Sequence, residues 1–143
     1  MRSKAPLLLM EQMIMLLVFA LAAALCLQAF VQSDAASRES EARDRAANLC
    51  QSMAEVLRTN GGDPYQAADT VLGGGWQSAA GMFRVPLNEN MTPAGDADVS
   101  YWLEVGELSH KAPGLDAVNI HVRTYDVAEV FSLEVCWQVE VTQ

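Results

Sequence analysis

The sequence predicts an α+β protein in which a long N-terminal helix packs against a small C-terminal antiparallel sheet. Three observations support this prediction. Residues 7–31 form an apolar run, a helical pattern without Gly or Pro continues from residue 32 to Thr59, and later segments alternate apolar and polar side chains. A helix is predicted for the first two stretches and strands for the third.

The apolar run is long enough to cross a bilayer. It covers residues 7–31, or roughly 37 Å as a helix at 1.5 Å per residue. Arg2 and Lys4 precede it and Asp34 follows it, a distribution that predicts a cytoplasmic N-terminus and an extracytoplasmic C-terminal domain. We therefore expect a single-pass protein of the cell membrane, with the lipid bilayer as its first partner.

Two kinds of cleavable signal are alternatives to a retained anchor. A secretory signal would need a small-x-small site, for which the sequence offers Ser33-Asp34-Ala35. A lipoprotein signal would need a small residue before Cys26, where Leu25 stands. Both patterns fit less well than a membrane-spanning helix.

The helix is expected to continue beyond the membrane, because residues 32–59 carry an apolar stripe at helical spacing. The stripe consists of Ala42, Ala46, Leu49, Cys50, Met53 and Leu57. The Asn-Gly-Gly-Asp-Pro segment at residues 60–64 ends it, since glycine can adopt the left-handed cap conformation and proline cannot prolong a helix. The result is a helix of roughly 80 Å whose second half needs a cover.

The remaining segment, residues 60–143, supplies that cover. A short helix is expected from Pro64 through Leu72, followed by strands. The clearest strand has Phe131, Leu133, Val135, Trp137, Val139 and Val141 on one face. Residues 118–122 alternate likewise, residues 82–87 and 99–108 are weaker strand candidates, and residues 88–98 and 109–115 are predicted loops.

The charge of the chain argues against a nucleic-acid partner. From Gln32 onward seven Lys and Arg stand against seventeen Asp and Glu, so this part is strongly acidic. His110 and His121 lack further ligands at zinc-site spacing, and no nucleophile or phosphate-binding motif occurs. The sequence therefore predicts neither an enzyme nor a bound cofactor or metal.

The cysteines leave one question open. Cys50 and Cys136 could form a disulfide outside the cytoplasm. However, Cys136 alternates with the apolar residues of its strand and is expected to face away from the helix. Two free, half-buried thiols are the preferred interpretation.

Glu11 is the residue that most needs an explanation, because it lies within the apolar run. A carboxylate in a bilayer is costly unless a cation in a protein assembly pairs with it. Alternatively, it lies near the headgroups and reaches water by snorkelling. Ala20 and Ala24 offer a small surface on which a second helix could pack closely.

Taken together, a short basic leader, an apolar segment with an early glutamate, a continuous helix and a small sheet resemble bacterial type IV pilins and the pseudopilins of type II secretion systems. The resemblance covers the whole chain in layout and residues 7–30 in sequence character. It implies a leader of residues 1–6 that a prepilin peptidase removes between Pro6 and Leu7. Glu11 would then be the fifth mature residue and would meet the α-amino group of a neighbouring subunit.

Departures from the family pattern favour a minor or divergent member. Pro6 stands where the family usually has glycine, and Leu7 replaces the usual phenylalanine or methionine. The resemblance implies a structural subunit of a pilus, a type II secretion system or a competence apparatus, assembled through Glu11, Leu7, Ala20 and Ala24. The alternative is a membrane-tethered binding or sensing module that does not polymerise, and a secreted domain cleaved near Ala35 ranks last.

Overall fold

The computed structural model describes residues 5–74, 77–79, 82–95 and 98–139. Helix α1 spans Ala5–Thr59 and α2 spans Pro64–Leu72. The strands are β1 (Gln77–Ala79), β2 (Met82–Leu87), β3 (Tyr101–Val105), β4 (Ser109–Ala112), β5 (Leu115–Thr124) and β6 (Glu129–Gln138). The chain divides into two compact units, residues 1–40 and 41–143, and the sheet and α2 belong to the second.

Helix α1 ends where the sequence predicts, at a pair of glycines. Gly61 and Gly62 have φ values of +68° and +89°, which side chains rarely tolerate. The Gly62 N–H donates to the carbonyl of Leu57 at 2.8 Å and so satisfies one of the last carbonyls of the helix. The chain thereby reverses and leads directly into α2.

Helix α2 shows the predicted signals at both ends. The Asp63 carboxylate accepts hydrogen bonds from the N–H groups of Tyr65 and Gln66, and Pro64 occupies the first turn. Gly73 ends the helix with φ +72°. The ring of Tyr65 packs edge-on against Phe83 of β2 at a centroid distance of 5.3 Å, which ties α2 to the sheet.

All six strands form one antiparallel sheet with the path β1-β2-β3-β5-β4 and with β6 along the other edge of β5. The ten-residue β5 is central: it pairs with β3 and β4 on one side and with β6 on the other. An α+β fold with a long helix and a small antiparallel sheet is therefore confirmed.

The core lies between one face of the sheet and the second half of α1. Four residues of the predicted helical stripe, Ala46, Cys50, Met53 and Leu57, are completely buried. They meet a layer of sheet residues that are also inaccessible to solvent: Val85, Leu87, Leu103, Ile120 and Val122. The stripe predicted from helical spacing is thus the face of α1 that the sheet covers.

The predicted sheet was wrong in several details. Residues 109–115 contain β4 rather than only a loop, because the Pro113-Gly114 turn, with Gly114 at φ +77°, returns the chain directly into β5. All four residues of β4 are exposed, so main-chain pairing holds this strand and no apolar alternation announces it. β1 was not predicted, and β3 is shorter than the predicted strand of residues 99–108. Of the apolar face predicted for the last strand, Val139 follows the end of β6 and is 43% exposed, and Val141 lies outside the described residues.

Candidate functional site

The first half of α1 is an uncovered apolar surface. Every residue from Leu7 to Ser40 is exposed in this unit, among them Leu7 at 74% and Phe19 at 74%. In the described part of the chain, α1 is the one helix that is long and apolar enough to cross a membrane. Its most apolar stretch of 18 residues has a mean hydropathy of 2.6. An apolar surface of this extent needs lipid or other helices around it.

Glu11 lies on this surface, and the residues predicted to act with it do not all share its side of the helix. Leu7 is one turn earlier, on the same side, and the Pro6–Leu7 peptide bond belongs to the first turns of α1. Ala20 and Ala24 lie one turn apart on a common face, but Ala20 is nine positions after Glu11, which places it on the opposite side. No ion pair of Glu11 occurs within the described residues.

The face of the sheet turned away from α1 carries a network of charged side chains that sequence reasoning missed. Glu104 of β3 is only 5% exposed and binds Arg84 of β2 as well as Arg123 of β5, the latter at 3.2 Å between Nη1 and Oε2. Arg84 also stacks over the ring of Trp102 at 4.8 Å. Since two guanidinium groups engage both oxygens of Glu104, this carboxylate links three strands and is not free to act as an acid or base.

Both histidines bond to carboxylates of the sheet. His110 Nδ1 lies 2.5 Å from Asp116 Oδ1, and His121 Nδ1 lies 3.2 Å from Glu129 Oε2. Hydrogen bonds from Ser132 and His121 lower the pKa of Glu129. The ionised form of Glu129 therefore stabilises the β5–β6 pair above the ordinary glutamate pKa, and this contribution is lost as the pH falls through the lowered value.

Comparisons with models of protein families, with curated proteins and with solved structures all find no match. Two features of the chain itself bear on its function: the uncovered apolar half of α1 with its carboxylate, and the surface of the sheet-bearing unit.

The tip of the β5–β6 hairpin is the second feature that the sequence did not reveal. The Val127 N–H donates to the carbonyl of Thr124, and the Thr124 N–H donates to the carbonyl of Ala128, so the turn is closed by two main-chain bonds. Tyr125 and Val127 project from it with 67% and 69% exposure. Val127 has φ +69°, a conformation that is strained for a β-branched residue and would suit glycine.

The cysteines differ more from each other than the sequence indicated, because neither Cys50 nor Cys136 is half-buried. Cys50 is completely buried under the sheet, whereas Cys136 is exposed on the outer face of β6, as the alternation predicted. Both are free thiols, as is the exposed Cys26 of α1. Burial raises the pKa of the Cys50 thiol to about 12.

This difference predicts selective alkylation of the folded chain. In detergent micelles at pH 8, N-ethylmaleimide should modify Cys136 and leave Cys50 unmodified, with a rate ratio of about a hundred or more, since the thiolate is the reactive species. Peptide mass mapping separates the two sites, because trypsin releases Cys50 in the peptide 46–58 and Cys136 in the peptide that follows Arg123. Modification of Cys50 at the same rate without denaturant, or a Cys50–Cys136 disulfide-linked peptide, would contradict the arrangement of the two thiols.

Proposed function

We propose that the protein is a pilin-like or pseudopilin-like structural subunit of a type IV pilus, a type II secretion system or a competence apparatus. Its N-terminal helix anchors the chain once in the cell membrane, with the N-terminus in the cytoplasm and the sheet-bearing unit outside. In this proposal the helices of several subunits associate, and the sheet-bearing units form the surface of the assembly. A prepilin peptidase acts between Pro6 and Leu7 before assembly.

The observation that carries the proposal is the division of α1 into two kinds of surface. Its second half is covered by the sheet through Ala46, Cys50, Met53 and Leu57, whereas its first half is apolar, exposed and interrupted by Glu11. Lipid alone would cover the apolar residues but would leave the carboxylate unpaired. A neighbouring subunit with a free α-amino group at Leu7 would supply the missing cation, which explains why an assembly helix keeps a glutamate.

A second candidate is a membrane-tethered binding or sensing module that does not polymerise. The observation in its favour is Pro6, since the residue before the expected cleavage position is not the glycine that the prepilin pattern usually has. Without cleavage no new amine forms at Leu7, and Glu11 then serves only as a carboxylate that reaches the headgroup region. The two candidates therefore differ in the chemical state of the N-terminus.

Intact mass and N-terminal sequencing of the protein from its native membrane distinguish the candidates. We expect a chain that begins at Leu7, with or without a methylated amine. A chain that begins at Met1 would contradict the processing step and would leave the tethered module as the better proposal. A chain that begins near Ala36 would contradict both, because the anchor would be absent.

Substitution of Glu11 tests its role in assembly directly. Glu11→Ala should lower self-association of the full chain in membranes by about tenfold, the factor expected for an interhelical polar contact of ~1–2 kcal/mol in a bilayer. Gln12→Ala is the matched control, since this adjacent side chain is also polar and of similar size but lies about 100° around the helix. Self-association is measured by cross-linking at Phe19, and equal losses in both variants would argue against a specific pairing of Glu11.

A further inference from the structure

The β5–β6 hairpin tip has the properties of a preformed contact element. Its two most exposed apolar residues, Tyr125 and Val127, flank Asp126, and main-chain bonds at both ends of the turn hold their positions. The strained conformation of Val127 costs stability that glycine would restore. A valine in this strained conformation lowers the stability of the fold, which indicates that its exposed apolar side chain has a function. We call residues 125–127 the hairpin knob.

An open depression lies between α1 and β6. It has a volume of about 540 Å³ and is lined by Gln51, Ala54, Glu55, Arg58, Thr59 and Leu133. Ala54 and Leu133 are half-buried apolar residues at the edge of the core, and Arg58 has no ion-pair partner within the described residues. We call this depression the α1–β6 groove.

We propose that the hairpin knob of one copy of this chain binds in the α1–β6 groove of a second copy. Tyr125 and Val127 contact the apolar residues Ala54 and Leu133. Asp126, which has no ion pair within the described residues, pairs with Arg58. The charges favour this groove, because Arg45, Arg84, Lys111 and Arg123 of the sheet-bearing unit already pair with carboxylates. Arg43 and Arg58 have no ion pair within the described residues, and of these two Arg58 lines the groove. Glu55 is the one groove residue that opposes an acidic knob.

The knob and the groove are separate surfaces of the sheet-bearing unit. The Tyr125 N–H donates to the carbonyl of Ser100, and the Ser100 N–H donates to the carbonyl of Leu87. In the loop that follows Leu87, the Glu89 carbonyl accepts a hydrogen bond from Arg45 of α1 at 3.3 Å. The groove lies about ten residues further along α1, or roughly 15 Å. A contact between two different surfaces is heterologous, so each copy can bind one neighbour by its knob and another by its groove.

This inference rests on the proposed function, since it names a lateral contact of the same assembly. A knob of three residues is too small to bury the roughly 1,200 Å² of a stable independent interface. We therefore expect it to act between copies that their membrane helices already bring together. Its role is to set the stagger of neighbouring sheet-bearing units.

Photo-cross-linking of the full chain in its native membrane tests the contact. Benzoylphenylalanine replaces Tyr125, and a mixture of ¹⁵N-labelled and unlabelled copies identifies cross-links between copies. We expect the cross-linker to join the tryptic peptide 46–58 of another copy, and benzoylphenylalanine at Phe19 provides the control for helix association. Cross-links at position 19 without the expected one at 125 would overturn this inference alone, and none at either position would overturn the proposed function as well. Capture of lipid or a different protein at position 125 would also overturn the inference.

Charge exchange tests the Asp126–Arg58 pair in the same assay. Asp126→Arg or Arg58→Asp alone should lower the cross-linking yield about fivefold, and the double variant should restore it. Glu107→Arg, which reverses another exposed carboxylate of the same unit, is the matched control and should leave the yield unchanged. Equal yields in all variants, or no restoration in the double variant, would overturn the pairing.

Val127→Gly separates contact from folding. The unfolding midpoint of this variant should move to a higher denaturant concentration, since the strain is relieved, while its cross-linking yield falls. A purely structural role for Val127 would leave the yield unchanged.

Discussion

Gly62→Ala is expected to destabilise the sheet-bearing unit by roughly 3–4 kcal/mol. A Cβ at this position would lie 2.2 Å from Cζ2 of Trp137, far inside van der Waals contact. The indole is only 7% exposed and packs in the core, so it cannot move aside without displacing other residues. The backbone adds a second cost, because φ is +89° and alanine disfavours this conformation.

Gly61→Ala separates the two costs. Gly61 also has a positive φ, +68°, but nothing lies within 4 Å of the Cβ that alanine would add. Only the backbone cost should remain, about 1 kcal/mol. Guanidinium unfolding of the full chain in detergent micelles measures the free energy of unfolding of both variants. Tryptophan fluorescence is the signal, since all three tryptophans lie after residue 60 and so report on the sheet-bearing unit. An equal loss of unfolding free energy in the two variants would mean that Trp137 does not pack against Gly62.

Glu104→Gln is expected to lower the free energy of unfolding by roughly 2–3 kcal/mol. The substitution keeps the size of the side chain but removes the charge that holds Arg84 and Arg123 together across three strands. Loss of one partner of a fully buried ion pair costs about 3–5 kcal/mol. The arginine side chains are 43% and 34% exposed, so water compensates part of that cost.

Glu134→Gln is the matched control for Glu104. Glu134 pairs with Lys111 at 2.7 Å on the same face of the sheet, but both side chains are about half exposed. Its hydrogen bond and charge raise the pKa of Lys111 without burying the pair, so the unfolding midpoint should not change measurably. If Glu134→Gln lowered the free energy of unfolding as much as Glu104→Gln, burial would not explain the importance of Glu104.

The helices were predictable because their signals are local. Helix α1 extends from Ala5 to Thr59 since no residue between Leu7 and Thr59 interrupts the pattern, and the glycines after it end the helix as expected. The cap of α2 by Asp63 is equally local. The apolar stripe from Ala46 to Leu57 also identified the covered face, because a helix buries whichever side carries its apolar residues.

The strands were predictable only where one face is buried. The alternation in β5 and β6 identified both strands, whereas β4, which is exposed on all its residues, gave no such pattern. Main-chain pairing with β5 holds β4, and pairing partners that are distant in sequence leave no local trace. The same reason explains why no local pattern indicated that Glu104 is buried, since its burial depends on neighbouring strands: β2 and β5 place an arginine on each side of it.

What the sequence by itself determined is the part of the protein governed by periodicity and composition: the apolar run with Glu11, the continuous helix, its stop at Gly61 and Gly62, and the acidic charge. Only the tertiary structure decided which side chains meet across strands. It placed Trp137 against Gly62, Glu104 between two arginines, and Cys50 and Cys136 in opposite environments. These contacts depend on the register of the sheet, which long-range packing sets and no short segment of the sequence contains.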